Sequence, residues 1–156
     1  MSGDLWSWAV AVYDAPGVAE ACLALQDHHA QNVPLLLWAA WIARTGRLPD
    51  EETLEAACDT ARAWDTTTVA PLRAVRRTLK APVPDLDDAA RLAVREQVKA
   101  VELAAERRLL SALETLSPSP AAAPRLALDG LVAAARLWDR VVPRPALKTL
   151  ADRLPA

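Results

Sequence analysis

The chain has 156 residues, 53% hydrophobic and 24% charged, which is the make-up of one globular domain and excludes a disordered segment. Its formal net charge of -2 lacks the basic excess of a dedicated nucleic-acid binder. Scarce glycine, abundant alanine and leucine, and no β-branched runs exclude a sheet-based fold. The expectation is an all-α protein: a single compact bundle of about seven or eight helices.

The first helix is expected over Leu5 to Tyr13, capped by Asp4. Leu5, Trp8, Ala9 and Val12 share one face, and Trp6, Val10 and Tyr13 flank it. After the turn Asp14-Ala15-Pro16-Gly17, a second helix carries the stripe Val18, Ala21, Cys22 and Leu25 and ends at the polar segment from His28 to Asn32. Asn32 is placed to cap a third helix, about 34–45, with Pro34 in its first turn and Gly46 as its left-handed stop. That helix is apolar all round, so it is expected at the centre of the bundle. Its alanine side would let a neighbouring helix come close.

Acidic residues crowd the first turns of a fourth helix from Asp50 to about Trp64. Thr66-Thr67-Thr68 reads as a break with a capping hydroxyl, followed by a fifth helix to about Ala81. One long helix is expected over about 86–116, opened by Asp85 and Asp87. Val94, Val98, Val101, Ala105, Leu109, Ala112 and Leu116 step by three or four to form a seam along its length, widened by Leu92, Leu103, Leu110 and Leu113. The proposed division is a helical core domain over 1–116, a flexible Pro/Ser/Ala joint over 117–124 and a C-terminal helical hairpin over 125–156, packed on the core or loosely attached.

The longest apolar run, Val33 to Ala43, is 11 residues, whereas a membrane span needs roughly 20. The N-terminus has neither a positive region nor an apolar core fit for a signal peptide. A cytoplasmic protein without a membrane span is therefore expected. Cys22 and Cys58 read as reduced, buried thiols, although the sequence leaves a disulfide open.

No chain-level pattern carries catalysis. Cys22 lies in an apolar stripe, not the electropositive, partly open setting of a reactive thiol. Phosphate-loop, dinucleotide and nucleophile-elbow motifs are missing. His28 and His29 are adjacent, so on a helix they point about 100° apart and do not chelate one ion. Neither a metal nor a cofactor is expected.

Two groups of residues remain as candidate sites. Trp6, Trp8, Tyr13, Gln26, Asp27, Asn32, Trp38 and Trp41 would place a carboxylate and amides beside aromatic rings, a setting for a small polar ligand. The competing reading is a structural corner in which these groups satisfy loop N–H and indole donors. Arg73, Arg76, Arg77 and Lys80 recur at helical spacing as a basic stripe that would meet an acidic partner, RNA or anionic lipid. Its competing reading is a solvated face balanced by neighbouring acids.

The segments Leu5-Trp6-Ser7-Trp8, Cys22-Leu23-Ala24-Leu25-Gln26-Asp27 and Asn32-Val33-Pro34-Leu35-Leu36-Leu37-Trp38 with Trp41 resemble a bacterial, mostly proteobacterial, family of short helical proteins catalogued as a domain of unknown function. The likeness continues more weakly through Arg73–Lys80 and Val98–Arg107, covers about two-thirds of the chain and fades after Leu116. It implies a helical fold and brings no activity, cofactor or catalytic residue. The functional expectation is a non-enzymatic cytosolic interaction or adaptor protein with a protein partner. The alternative is a small-molecule-binding domain or unrecognised enzyme with a tryptophan-lined pocket around Asp27. A third is weak RNA binding through the basic stripe.

Overall fold

A computed structural model describes residues 4–156. Its helices are α1 (Leu5–Tyr13), α2 (Val18–His29), α3 (Val33–Arg44), α4 (Glu51–Trp64), α5 (Ala70–Thr78), α6 (Asp88–Leu116), α7 (Ala127–Trp138) and α8 (Arg144–Arg153), with no strand among the described residues. Local chemistry sets many of the starts. The carboxylates of Asp4, Asp50 and Asp87 and the carboxamide oxygen of Asn32 accept from the backbone N–H three residues on. Glu114 of α6 adds a second acceptor for the start of α1, taking the Leu5 N–H at 2.6 Å.

The central helix is α3, buried from Pro34 through Ala43. Trp38 is fully buried, and its indole N–H donates to the Ser117 hydroxyl at 2.8 Å. On the alanine side, α7 comes close enough that a Cβ on Gly130 would stand 2.4 Å from the Ala39 carbonyl oxygen. Leu131 and Ala135 of α7 and Leu147 and Leu150 of α8 are buried in the same core. The end of α3 is sealed by chain from the other side. Gly46, at φ 66°, accepts from the Ala121 and Ala122 N–H groups, and the Ala43 carbonyl accepts from Arg125.

Two expectations are corrected. The threonines do not break the chain: α4 and α5 run on through a π-helical turn, Asp65–Val69, in which the Ala70 N–H reaches the Asp65 carbonyl. The Thr66 and Thr67 hydroxyls donate back to the Arg62 and Ala63 carbonyls instead of capping a new helix. Pro71 explains the wider turn, because it lacks an N–H and its ring would crowd the carbonyl four residues back.

The apolar seam of α6 does not run its whole length either. Leu109, Leu110 and Leu113 are buried, but Val94, Val101 and Leu103 are about half exposed. From its first turn to its middle, α6 packs with Arg91 and Glu102, both buried, facing the protein. The Arg91 guanidinium donates to the Leu79 carbonyl at 2.6 Å and the Arg95 Nε to the Arg76 carbonyl at 3.3 Å, so arginines satisfy the last carbonyls of α5. No single helix among the described residues is long and apolar enough to cross a membrane.

Candidate binding cleft

The turn at Pro16-Gly17 sets α1 and α2 at 99° to each other. Gly17 takes the left-handed conformation there, with φ 79°. The angle opens a cleft of about 330 Å³ between α1, α2, α3 and α6. Trp6, Ala9, Val10 and Tyr13 line it from α1, and Cys22, Leu23 and Gln26 from α2. Val33, Pro34 and Leu37 come from α3, and Leu103, Glu106 and Leu110 from α6. Val10, Tyr13, Leu23 and Leu103 are large apolar side chains left exposed at this cleft. The Arg107 guanidinium lies 4.8 Å from the centroid of the Trp6 ring and steadies that wall.

The ionisable lining groups are Tyr13, Asp14, Cys22 and Glu106; among the described residues none that lines the cleft is basic. Burial pushes the Cys22 thiol up to about 12, which leaves it an inert thiol at neutral pH. Burial also raises the Tyr13 hydroxyl, with smaller contributions from Cys22 and Glu106. The Glu106 carboxyl is raised above the ordinary carboxylate range chiefly by burial. Arg73 opposes that rise, Glu102 adds to it and Arg76 opposes it. Its ion pair with Arg73 is long, 4.0 Å.

This gives a pH signature. The folded protein holds the Glu106 proton to higher pH than the unfolded chain does, so stability falls as pH rises from the ordinary carboxylate range through the raised value. Glu106→Gln is expected to remove that fall. Thermal melts of the two proteins should converge at acid pH, with the variant the more stable at neutral pH.

A second, much smaller void of about 10 Å³ adjoins the cleft, sharing Gln26, Val33, Pro34 and Glu106 with it. Gln31, 4% exposed, lines it with an Oε1 that accepts no hydrogen bond within the protein, and Arg73 lines it with an Nε that donates none. The π-turn forms part of its wall through Asp65 and Val69.

The residues singled out in the sequence fall in different places. Trp6, Tyr13 and Gln26 line the cleft. Trp8 packs, half-buried, against the core. Trp38 and Trp41 are core residues, and the Trp41 ring is covered by Arg47 at 4.3 Å. Asn32 is the cap of α3. Asp27 is exposed, outside the cleft lining, and pairs with Arg77 at 2.8 Å. Within the basic stripe, Arg73 and Arg76 turn toward α6: Arg76 Nε meets the Glu102 carboxylate at 2.5 Å, and Arg73 lies 4.0 Å from both Glu102 and Glu106. Lys80 is exposed. Val10, Leu23, Leu103 and Glu106 are cleft residues that sequence reasoning passed over. Glu106 carries a readable signal, a carboxylate set at helical spacing between Leu103 and Leu110.

Fold and cleft together define an all-helical domain with an open apolar groove, holding a half-buried carboxyl, at a corner of the bundle. A family described as "Protein of unknown function (DUF2390)" matches residues 4–113, and the chain belongs to that family. Every cleft residue lies inside the matched stretch, whereas α7 and α8 lie beyond it. No curated protein and no solved structure matches the chain.

Proposed function

We propose that the protein is a non-enzymatic cytosolic interaction module that receives an apolar segment of a protein partner in the cleft. The observation that carries this reading is the set of four exposed apolar side chains, Val10, Tyr13, Leu23 and Leu103, at an open apolar groove. Contiguous exposed apolar surface with polar edges is the mark of an interaction site. Free, buried cysteines suit a reducing compartment. The inert Cys22 thiol argues against covalent catalysis.

A second reading, a small-molecule site or an enzyme, rests on Glu106. A carboxyl raised by burial inside a cleft of this size is the kind of group that serves as a general acid or a ligand anchor. Its polar centre is Glu106 with Gln26, since Asp27 is engaged by Arg77. Binding of RNA through the basic stripe has less support, because Arg73 and Arg76 are engaged by α6.

Affinity capture from the native host tests the proposal. The partner retained by the wild-type protein should be lost with Leu23→Asp/Leu103→Asp and kept with Arg77→Glu/Lys80→Glu. The reverse pattern would move the interface to the stripe.

A further inference from the structure

We propose that the cleft is selective for a basic side chain on an apolar segment, the ammonium or guanidinium meeting Glu106 while its stem and neighbours cover the aromatic and aliphatic walls; this rests on the cleft being a peptide-binding surface. Charge complementarity selects the occupant. The charged residues lining the cleft are Asp14 and Glu106. Glu106 makes no hydrogen bond within the protein that would satisfy its oxygens, and its nearest cation, Arg73, stands at 4.0 Å on the side of the smaller void. A carboxylate so placed gains from a cation supplied from the open side, and hydrogen bonds to charged groups are the stronger kind.

The walls suit the same occupant. Trp6 and Tyr13 present aromatic surface, which attracts cations and covers methylene stems. Gln26 borders both the cleft and the smaller void and offers a carboxamide oxygen as a further acceptor.

Three blocked tripeptides test this on the full chain by NMR titration: acetyl-Leu-Lys-Leu-amide and its counterparts with norleucine or glutamate in the middle. The lysine peptide is expected to shift the Trp6 indole and the Leu103 and Glu106 amides at about tenfold lower concentration than the norleucine peptide. The glutamate peptide should be the weakest. Glu106→Gln should bring the lysine peptide to the norleucine level, with an unchanged spectrum elsewhere showing that it folds. Equal binding of the lysine and norleucine peptides would overturn the cation preference and leave the cleft reading intact. Lysine selectivity surviving in Glu106→Gln would overturn the role of Glu106. Hexylammonium binding as tightly as the lysine peptide would overturn the peptide as occupant. No shift at these positions with any of the peptides would sink the cleft reading itself.

Discussion

Trp38→Ala is expected to cost about 3–5 kcal/mol, a large part of the stability of a domain this size. The ring is fully buried at the centre of the bundle, so its loss leaves a cavity whose α-helical walls close only in part. A second loss comes from hydrogen bonding. The indole donates to the Ser117 hydroxyl, which donates in turn to the Leu113 carbonyl at 2.9 Å. This short chain ties the middle of α3 to the end of the long helix. Trp38→Phe keeps most of the volume and removes the N–H, and should cost about 1–2 kcal/mol. Denaturant unfolding of the two variants separates the terms. Equal losses would mean that the hydrogen bond, not the packing, dominates.

Glu102→Ala is the second large effect, at about 2–3 kcal/mol. The Glu102 carboxylate is buried between α5 and α6 and holds Arg76 at 2.5 Å with Arg73 nearby. Removing it takes the shared carboxylate from both guanidinium groups and leaves Arg73 only its 4.0 Å pair with Glu106. The same α5–α6 contact includes the Arg76 carbonyl, which accepts from Arg95 Nε. Lys80→Ala, exposed in the turn just past α5, should fall within about 0.5 kcal/mol of wild type. A double-mutant cycle on Arg76 and Glu102, read by urea unfolding, should return a coupling of about 1–3 kcal/mol. Additive losses would mean that the pair is no more than a surface contact.

These two sites also show what local reading reaches. Asp4, Asn32 and Gly46 were legible because a cap involves only the few residues around a helix end. The all-α class and the central helix followed from composition and from an apolar run that leaves no polar face. The face of α6 was misread because periodicity assumes that what is buried is apolar. Arg91, Arg95 and Glu102 are drawn inward by the carbonyls and arginines of α5, while Val94 and Val101 are left outside. The threonine segment was misread for a related reason: Thr–carbonyl bonds to the preceding turn and a wide turn before Pro71 let the helix continue. In the candidate site, Trp6, Tyr13 and Gln26 could be picked out because aromatics and an amide near one corner are unusual. Leu103 and Glu106 come from nearly eighty residues further on, and only the crossing of α6 brings them to that corner.

The central claim is that partners meet this protein at the cleft between α1, α2, α3 and α6. Site-specific photo-crosslinking in the native host tests it most directly. A photoreactive amino acid is placed at Leu23 or Leu103 in the cleft, or at Leu126 or Val141, which are exposed outside its lining. Covalent adducts to one partner protein from Leu23 and Leu103, and none to it from Leu126 and Val141, are the expected result. The same partner captured from Leu126 or Val141 while Leu23 and Leu103 stay unmodified would contradict the account.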